Sequence, residues 1–337
     1  MSAPTSPSPS VVPWDVDILG DGYEQQVFHL GEDPDGEGPV EAVLVRRTVR
    51  EGEAVRGTAL YVHGFSDYFF QTELADFFAE RGFAFYGLDL RKCGRGRREG
   101  HTPHYVSDLA TYDVELESSL EAMVEDHPDV PVVVVAHSTG GLITPLWLDR
   151  RARRGRVAPV AGLVLNSPWF DMQGSAVVRG PVTWALRAFS RLRPLRAMDL
   201  PKSTLYVDSL HSSRSGEWDF DLDLKPLGGF PVTVGWLNAV RRGHARLHRG
   251  LDLGVPALVL RSDKTLLTRE ASPAFDVSDT VLDVRQIARW SGCLGGETTV
   301  VPVEDARHDV FLSQQGPRRR AYDVLDTWLT GHFPVSR

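Results

Sequence analysis

Ser138 stands in Ala136-His137-Ser138-Thr139-Gly140, with a small residue two positions away on each side. A serine hydroxyl is a weak nucleophile until an adjacent base takes its proton, so it does chemistry only with a histidine brought from elsewhere in the chain. His308, in Asp305-Ala306-Arg307-His308-Asp309, is the histidine placed for that task, just beyond the last expected strand. An oxyanion formed at the serine needs two preorganised donors. The backbone N–H of Thr139 supplies one, and the backbone N–H of Phe65 in His63-Gly64-Phe65 the other, with Gly64 letting the chain turn. Together these are the parts of a nucleophilic acyl transfer.

Such residues work only if the fold carries them to one place. Val132 to Ala136, an uninterrupted valine run, predicts a strand buried on both faces, and Gly141 to Arg150 predicts a helix. Ser138 therefore falls on a strand-to-helix turn, the context in which a serine projects its oxygen clear of a sheet. Further strands are expected at Thr58 to Val62, Phe83 to Leu88, Gly162 to Asn166, Val255 to Leu260 and Thr298 to Val303. Helices are expected at Glu73 to Glu80, Val106 to Glu125, near Val281 to Trp290 and at Pro317 to Leu329. Tyr23 to Leu30 and Val40 to Thr48 alternate apolar and polar residues around a Gly/Asp/Pro-rich run, the pattern of a β-hairpin. Strand and helix in repetition predict an α/β fold, a mostly parallel central sheet with helices on both faces.

The rhythm stops between about Pro168 and Arg249, where Trp169, Trp184, Trp218 and Trp236 are interleaved with arginines. That gives a division into a Pro/Ser-rich disordered tail (1–13), a core (14–167 and 250–337) and an inserted helical cap (168–249) over the end of the sheet where such folds bind ligands. Trp169 and Trp218 are candidate pocket residues. The runs Arg150-Arg151, Arg153-Arg154 and Arg318 to Arg320 read as solvated helix faces, and His101 and His104 as solvated loop residues.

With 42% hydrophobic and 24% charged residues in 337, the chain is long enough for one large core. A net charge of −8 argues against a nucleic-acid partner, which calls for a basic footprint. Cys93 and Cys293 are too few for a disulfide framework or a four-ligand metal site. No metal and no organic cofactor are implied. Without a signal-like start or a long apolar run, a cytoplasmic protein with no stable membrane insertion is expected; nothing reports the oligomeric state.

His63-Gly64-Phe65-Ser66-Asp67-Tyr68, Leu88-Asp89-Leu90-Arg91 followed by Gly94-Arg95-Gly96, the serine turn and Ala306-Arg307-His308-Asp309 together resemble the monoglyceride-lipase and lysophospholipase-like branch of the α/β-hydrolases, the serine-aminopeptidase type, over roughly 58–329. The resemblance implies the α/β-hydrolase fold, the order serine, acid, histidine, and Phe65 as second oxyanion donor. Three aspartates compete for the acid. Asp263 directly follows a strand, where the plainest version of the fold puts it. Ser278-Asp279-Thr280-Val281-Leu282-Asp283 is more similar to the family's acid turn, which favours Asp279, with Asp263 second and Asp283, a candidate helix cap, third. The implied substrate is a small-molecule ester with a moderately apolar part, such as a monoacylglycerol or a lysophospholipid. Two other readings stand beside it. One is an aminopeptidase or amidase on the same residues, with Glu217, Asp219, Asp221 or Asp223 binding an ammonium; the other is a catalytically silent ligand-binding protein. Dehalogenases and epoxide hydrolases need a carboxylate where Ser138 stands.

Overall fold

Every residue of Gly57–Val62 (β5) and Val132–His137 (β7) is buried, and successive side chains enter opposite halves of the core. Leu60, Val62, Val132, Val134 and Ala136 pack into one cluster, while Ala59, Tyr61, Val133 and Val135 pack into the other. A strand apolar on both faces is held only between two helical layers. The computed structural model describes residues 10–50, 52–173, 189–199, 204–268 and 272–334.

The remaining strands are Ser10–Val11 (β1), Asp15–Val16 (β2), Tyr23–Glu32 (β3), Pro39–Arg47 (β4), Phe83–Asp89 (β6), Val160–Asn166 (β8), Ala257–Ser262 (β9) and Thr298–Val303 (β10). They form one sheet in the order β1-β3-β4-β6-β5-β7-β8-β9-β10, with β2 also on β3. From β6 to β10 all neighbours are parallel, and β3 and β4 form the expected hairpin, β4 running antiparallel to β6. Helices Thr72–Ala79 (α1) and Gln315–His332 (α6) cover one face through Leu74, Phe78, Leu325 and Trp328. Helices Asp113–Asp126 (α2), Gly140–Ala152 (α3), Val234–Leu247 (α4) and Val284–Trp290 (α5) cover the other through Leu116, Trp147, Val240 and Ile287. No helix among the described residues is long and apolar enough to cross a membrane.

Several local readings are revised. The helix expected from Val106 begins at Asp113, because the Asp108 carboxylate accepts from Ala110 N–H and starts a separate 3₁₀ turn, Leu109–Tyr112. The helix expected near Val281 begins at Val284, where Asp283 caps it. Of the tail, Ser10 and Val11 pair with His29 and Phe28, while residues 1–9 lie outside the described residues. In the inserted stretch, α4 buries Trp236, Leu237, Val240 and Leu247 in the main core, so this part of it is built into the core rather than lying on top. Trp184 lies outside the described residues.

Two solvation readings fail. His104 is buried, its ring against Phe65 and Phe230 and its Nδ1 3.1 Å from Cys93 Sγ. Arg150 and Arg151 are turned inward from α3 onto Asp113 and Glu117 of α2; Arg153 does remain exposed. Cys93 and Cys293 are free thiols.

Candidate active site

The turn between β7 and α3 is tight enough to force Ser138 to a φ of 51°, a left-handed conformation unusual for a residue with a side chain. Its neighbours make room. A Cβ on Gly140 would stand 2.5 Å from the His63 carbonyl oxygen and 2.6 Å from that of Val62. Backbone bonds fix the turn: Ser138 N–H donates to Asn166 O at 3.0 Å, and Ser138 O accepts from Trp169 N–H at 2.9 Å. The strain is thus held between two strand ends and the start of the inserted segment.

His308 follows β10 and reaches across to this turn, with its Nε2 3.0 Å from Ser138 Oγ and its Nδ1 2.9 Å from Asp279 Oδ2. A carboxylate only accepts, so Nδ1 carries the proton and Nε2 is free to accept from the serine hydroxyl. Asp279 is fully buried, and its other oxygen accepts from Val281 N–H at 2.8 Å and Leu282 N–H at 2.7 Å. Those two bonds fix the carboxylate plane toward the imidazole. Asp263 is elsewhere: it accepts from Asp305 N–H at 3.0 Å and braces the loop after β10. Asp283 is occupied with the first turn of α5.

Four further residues steady this arrangement. Asp309 accepts from Asn166 Nδ2 at 2.6 Å and Gln71 Nε2 at 2.8 Å, tying the His308 loop to the ends of β8 and the start of α1. Asn166 Oδ1 accepts in return from Val310 N–H at 3.0 Å. Tyr206 donates no charge to this scheme, because burial and then the nearby Asp309 push its phenol well above the ordinary value; its oxygen accepts from Asp309 N–H and its ring stands edge-on to His308. None of these four was singled out from the sequence. Only Asp309 carried a local signal, its place beside the histidine.

The loop after β5 is organised by His63, whose Nδ1 donates to Gly64 O at 2.7 Å and whose Nε2 accepts from Leu90 N–H at 3.1 Å. Phe65 and Thr139 both front a cavity of about 650 Å³ that also contains Ser138 and His308. Its wall is apolar at Trp169, Met172, Met198, Val232 and Trp236, and polar at Asp67, His137 and Lys225. Trp169 therefore lies on the cavity. Trp218 does not; it lies over a separate surface hollow beside Phe70 and Arg318, with the Arg318 guanidinium on its ring. Glu217, Asp219, Asp221 and Asp223 are likewise absent from the cavity wall.

Strand order, strained serine turn and the Ser138–His308–Asp279 arrangement together define the class: this is an α/β-hydrolase. The family described as serine aminopeptidase, S33, matches residues 53–289, most of the chain, including Phe65, Ser138 and Asp279. The chain belongs to that family. It is 31% identical over 282 residues to a monoacylglycerol lipase of Mycolicibacterium smegmatis, covering 82% of this chain and 89% of the relative. Among solved structures it is similar to a soluble variant of monoglyceride lipase from Saccharomyces cerevisiae, in complex with a substrate analogue, with a TM-score of 0.64, 16% identity and 99% of each chain covered. It is also similar to a thermostable carboxyl esterase from Bacillus coagulans, with a TM-score of 0.61, 15% identity, and 93% and 99% covered.

Proposed function

We propose that the protein is a serine esterase that cleaves a small-molecule ester with an apolar acyl or alcohol part, by way of an acyl-enzyme. The hydroxyl of Ser138 adds to the ester carbonyl as His308 Nε2 takes its proton, and Asp279 holds the imidazole tautomer and stabilises the imidazolium. The backbone N–H groups of Phe65 and Thr139 receive the oxyanion. Collapse of the tetrahedral adduct expels the alcohol, which takes the proton from His308; water activated by the same histidine then releases the acid and restores Ser138.

The observation that carries this reading is the continuous hydrogen-bonded line from Asp279 through His308 to Ser138, ending in a cavity. A cavity of this size with a largely apolar wall suits a lipid-like ester such as a monoacylglycerol or a lysophospholipid, and the mycobacterial relative bears the name monoacylglycerol lipase. The aminopeptidase reading is less well supported, because the four acidic residues suggested for an ammonium lie away from the cavity. The silent-protein reading leaves the strained serine without a purpose. The test is a series of p-nitrophenyl esters of increasing chain length: turnover that disappears in Ser138→Ala is expected, and absence of turnover across the series would overturn the proposal.

A further inference from the structure

One carboxylate, Asp67, lines the cavity among the described residues, and it is already occupied. Lys225, reaching in from the inserted segment, places Nζ 2.5 Å from Asp67 Oδ1. The same ammonium lies 5.0 Å from the centre of the Phe70 ring and 5.5 Å from that of Phe220. Asp67, Lys225, Phe70 and Phe220 are all more than nine-tenths buried. A carboxylate with two aromatic rings is the composition of an ammonium receptor, and here the protein fills it with a side chain of its own. The second Asp67 oxygen has no hydrogen-bond partner among the described residues and lies 3.4 Å from His137 Nδ1.

Resting on the serine-hydrolase reading of this cavity, we infer that Lys225 is a specificity-determining residue: it occupies an ammonium subsite beside Ser138 and so turns the enzyme against amine-bearing substrates. An incoming cation finds Asp67 already neutralised by the Lys225 ammonium that fills the subsite. It would have to lose its water without gaining a counter-ion, and that uncompensated desolvation supplies the rejection. A neutral ester meets no such barrier. The pair also joins residues 158 positions apart, so the inserted segment itself carries the group that closes the subsite.

Lys225→Ala removes, beyond Cβ, the equivalent of n-propylammonium, and leaves the Asp67 carboxylate buried and unpaired. Thermal unfolding of the wild type, of Lys225→Ala and of Asp67→Asn/Lys225→Ala is followed while n-propylammonium chloride is titrated against sodium chloride with propanol at equal ionic strength. The amine is expected to raise the midpoint of Lys225→Ala in a concentration-dependent way and to leave the wild type and the double variant unmoved. An equal response in all three, or none in a folded Lys225→Ala, overturns the inference. Should Lys225→Ala not fold, Lys225→Met, which fills the same channel short of the charge, is titrated with ammonium against sodium, and the same outcomes decide.

A kinetic arm compares p-nitrophenyl hexanoate with its 6-ammonio analogue: the wild-type preference for the neutral ester is expected to shrink by about tenfold or more in Lys225→Ala, and an unchanged ratio contradicts the inference. Because the unfolding arm reads binding without turnover, loss of all esterase activity would count against the serine-hydrolase reading alone. An unresponsive variant beside an active wild type would count against the ammonium subsite alone.

Discussion

At the scale of single residues, the three candidate acids make different bonds and so carry different expectations. Asp279 contacts His308 Nδ1 and two backbone amides, so Asp279→Asn is expected to lower kcat by about four orders of magnitude with Ser138 still in place. Asp283 contacts the start of α5 instead, so Asp283→Ala is expected to cost about 1 kcal/mol of stability and little turnover. Asp263→Asn alters a brace in the loop before His308 and is expected to retain most of the wild-type kcat. Esterase kinetics and urea unfolding on the same three variants check all of this, and near-normal turnover in Asp279→Asn would remove it from the mechanism. The sequence ranked Asp279 first, Asp263 second and Asp283 third but could not exclude the other two, because separation along the chain does not report which carboxylate a loop turns inward. Ser138 and His308 were legible because each sits in a short segment whose neighbours fix its position on the sheet.

At the scale of elements, the site depends on how strand ends and helix starts are clamped. Asn166 at the end of β8 makes two bonds to the His308 loop. Asn166→Ala is expected to lower stability by about 1–3 kcal/mol and to slow turnover as the histidine loses its fixed approach. Gly140 admits the Val62 and His63 carbonyls at the end of β5, where a methyl group would strike them. Gly140→Ala is therefore expected to shift the start of α3 and cost about a hundredfold in kcat, checked by kinetics beside the circular dichroism of a folded variant. The strands were legible because burial on both faces writes a continuous apolar run, as in Val132 to Ala136. The inserted segment was not, since its course is set by contacts distant in sequence: Lys225 with Asp67, Phe230 N–H with Ser66 Oγ, Phe65 with the Trp236 ring. That is why Trp169 and Trp218 looked alike in the sequence and lie on different surfaces.

At the scale of the whole molecule, buried histidines couple stability to pH. Burial lowers the His244 imidazole to about 3, although its Nε2 bonds to the Trp169 carbonyl, and burial followed by the neighbouring His63 also lowers His104 well below its ordinary value. In the unfolded chain both titrate near the ordinary histidine value of about 6.5. Below that pH the unfolded chain takes up protons that the folded chain refuses, so stability is present above about 6.5 and falls as pH drops toward 3. Urea midpoints measured from pH 7.5 to 5 are expected to decline, with a shallower slope in His244→Gln; a flat profile would mean that these rings are accessible to protons. The same packing that keeps His244 neutral sets its ring edge-on to Trp169, which in turn packs against Trp236 in the cavity wall.

The central claim is that Ser138, activated by His308, is the nucleophile. A fluorophosphonate probe followed by peptide mass analysis tests it most directly, because the probe reports the activated oxygen without any assumption about substrate. One adduct on the peptide carrying Ser138, formed at a rate that collapses in His308→Ala, is the predicted result. A wild-type protein that stays unlabelled, or carries the adduct on another residue, would contradict the account.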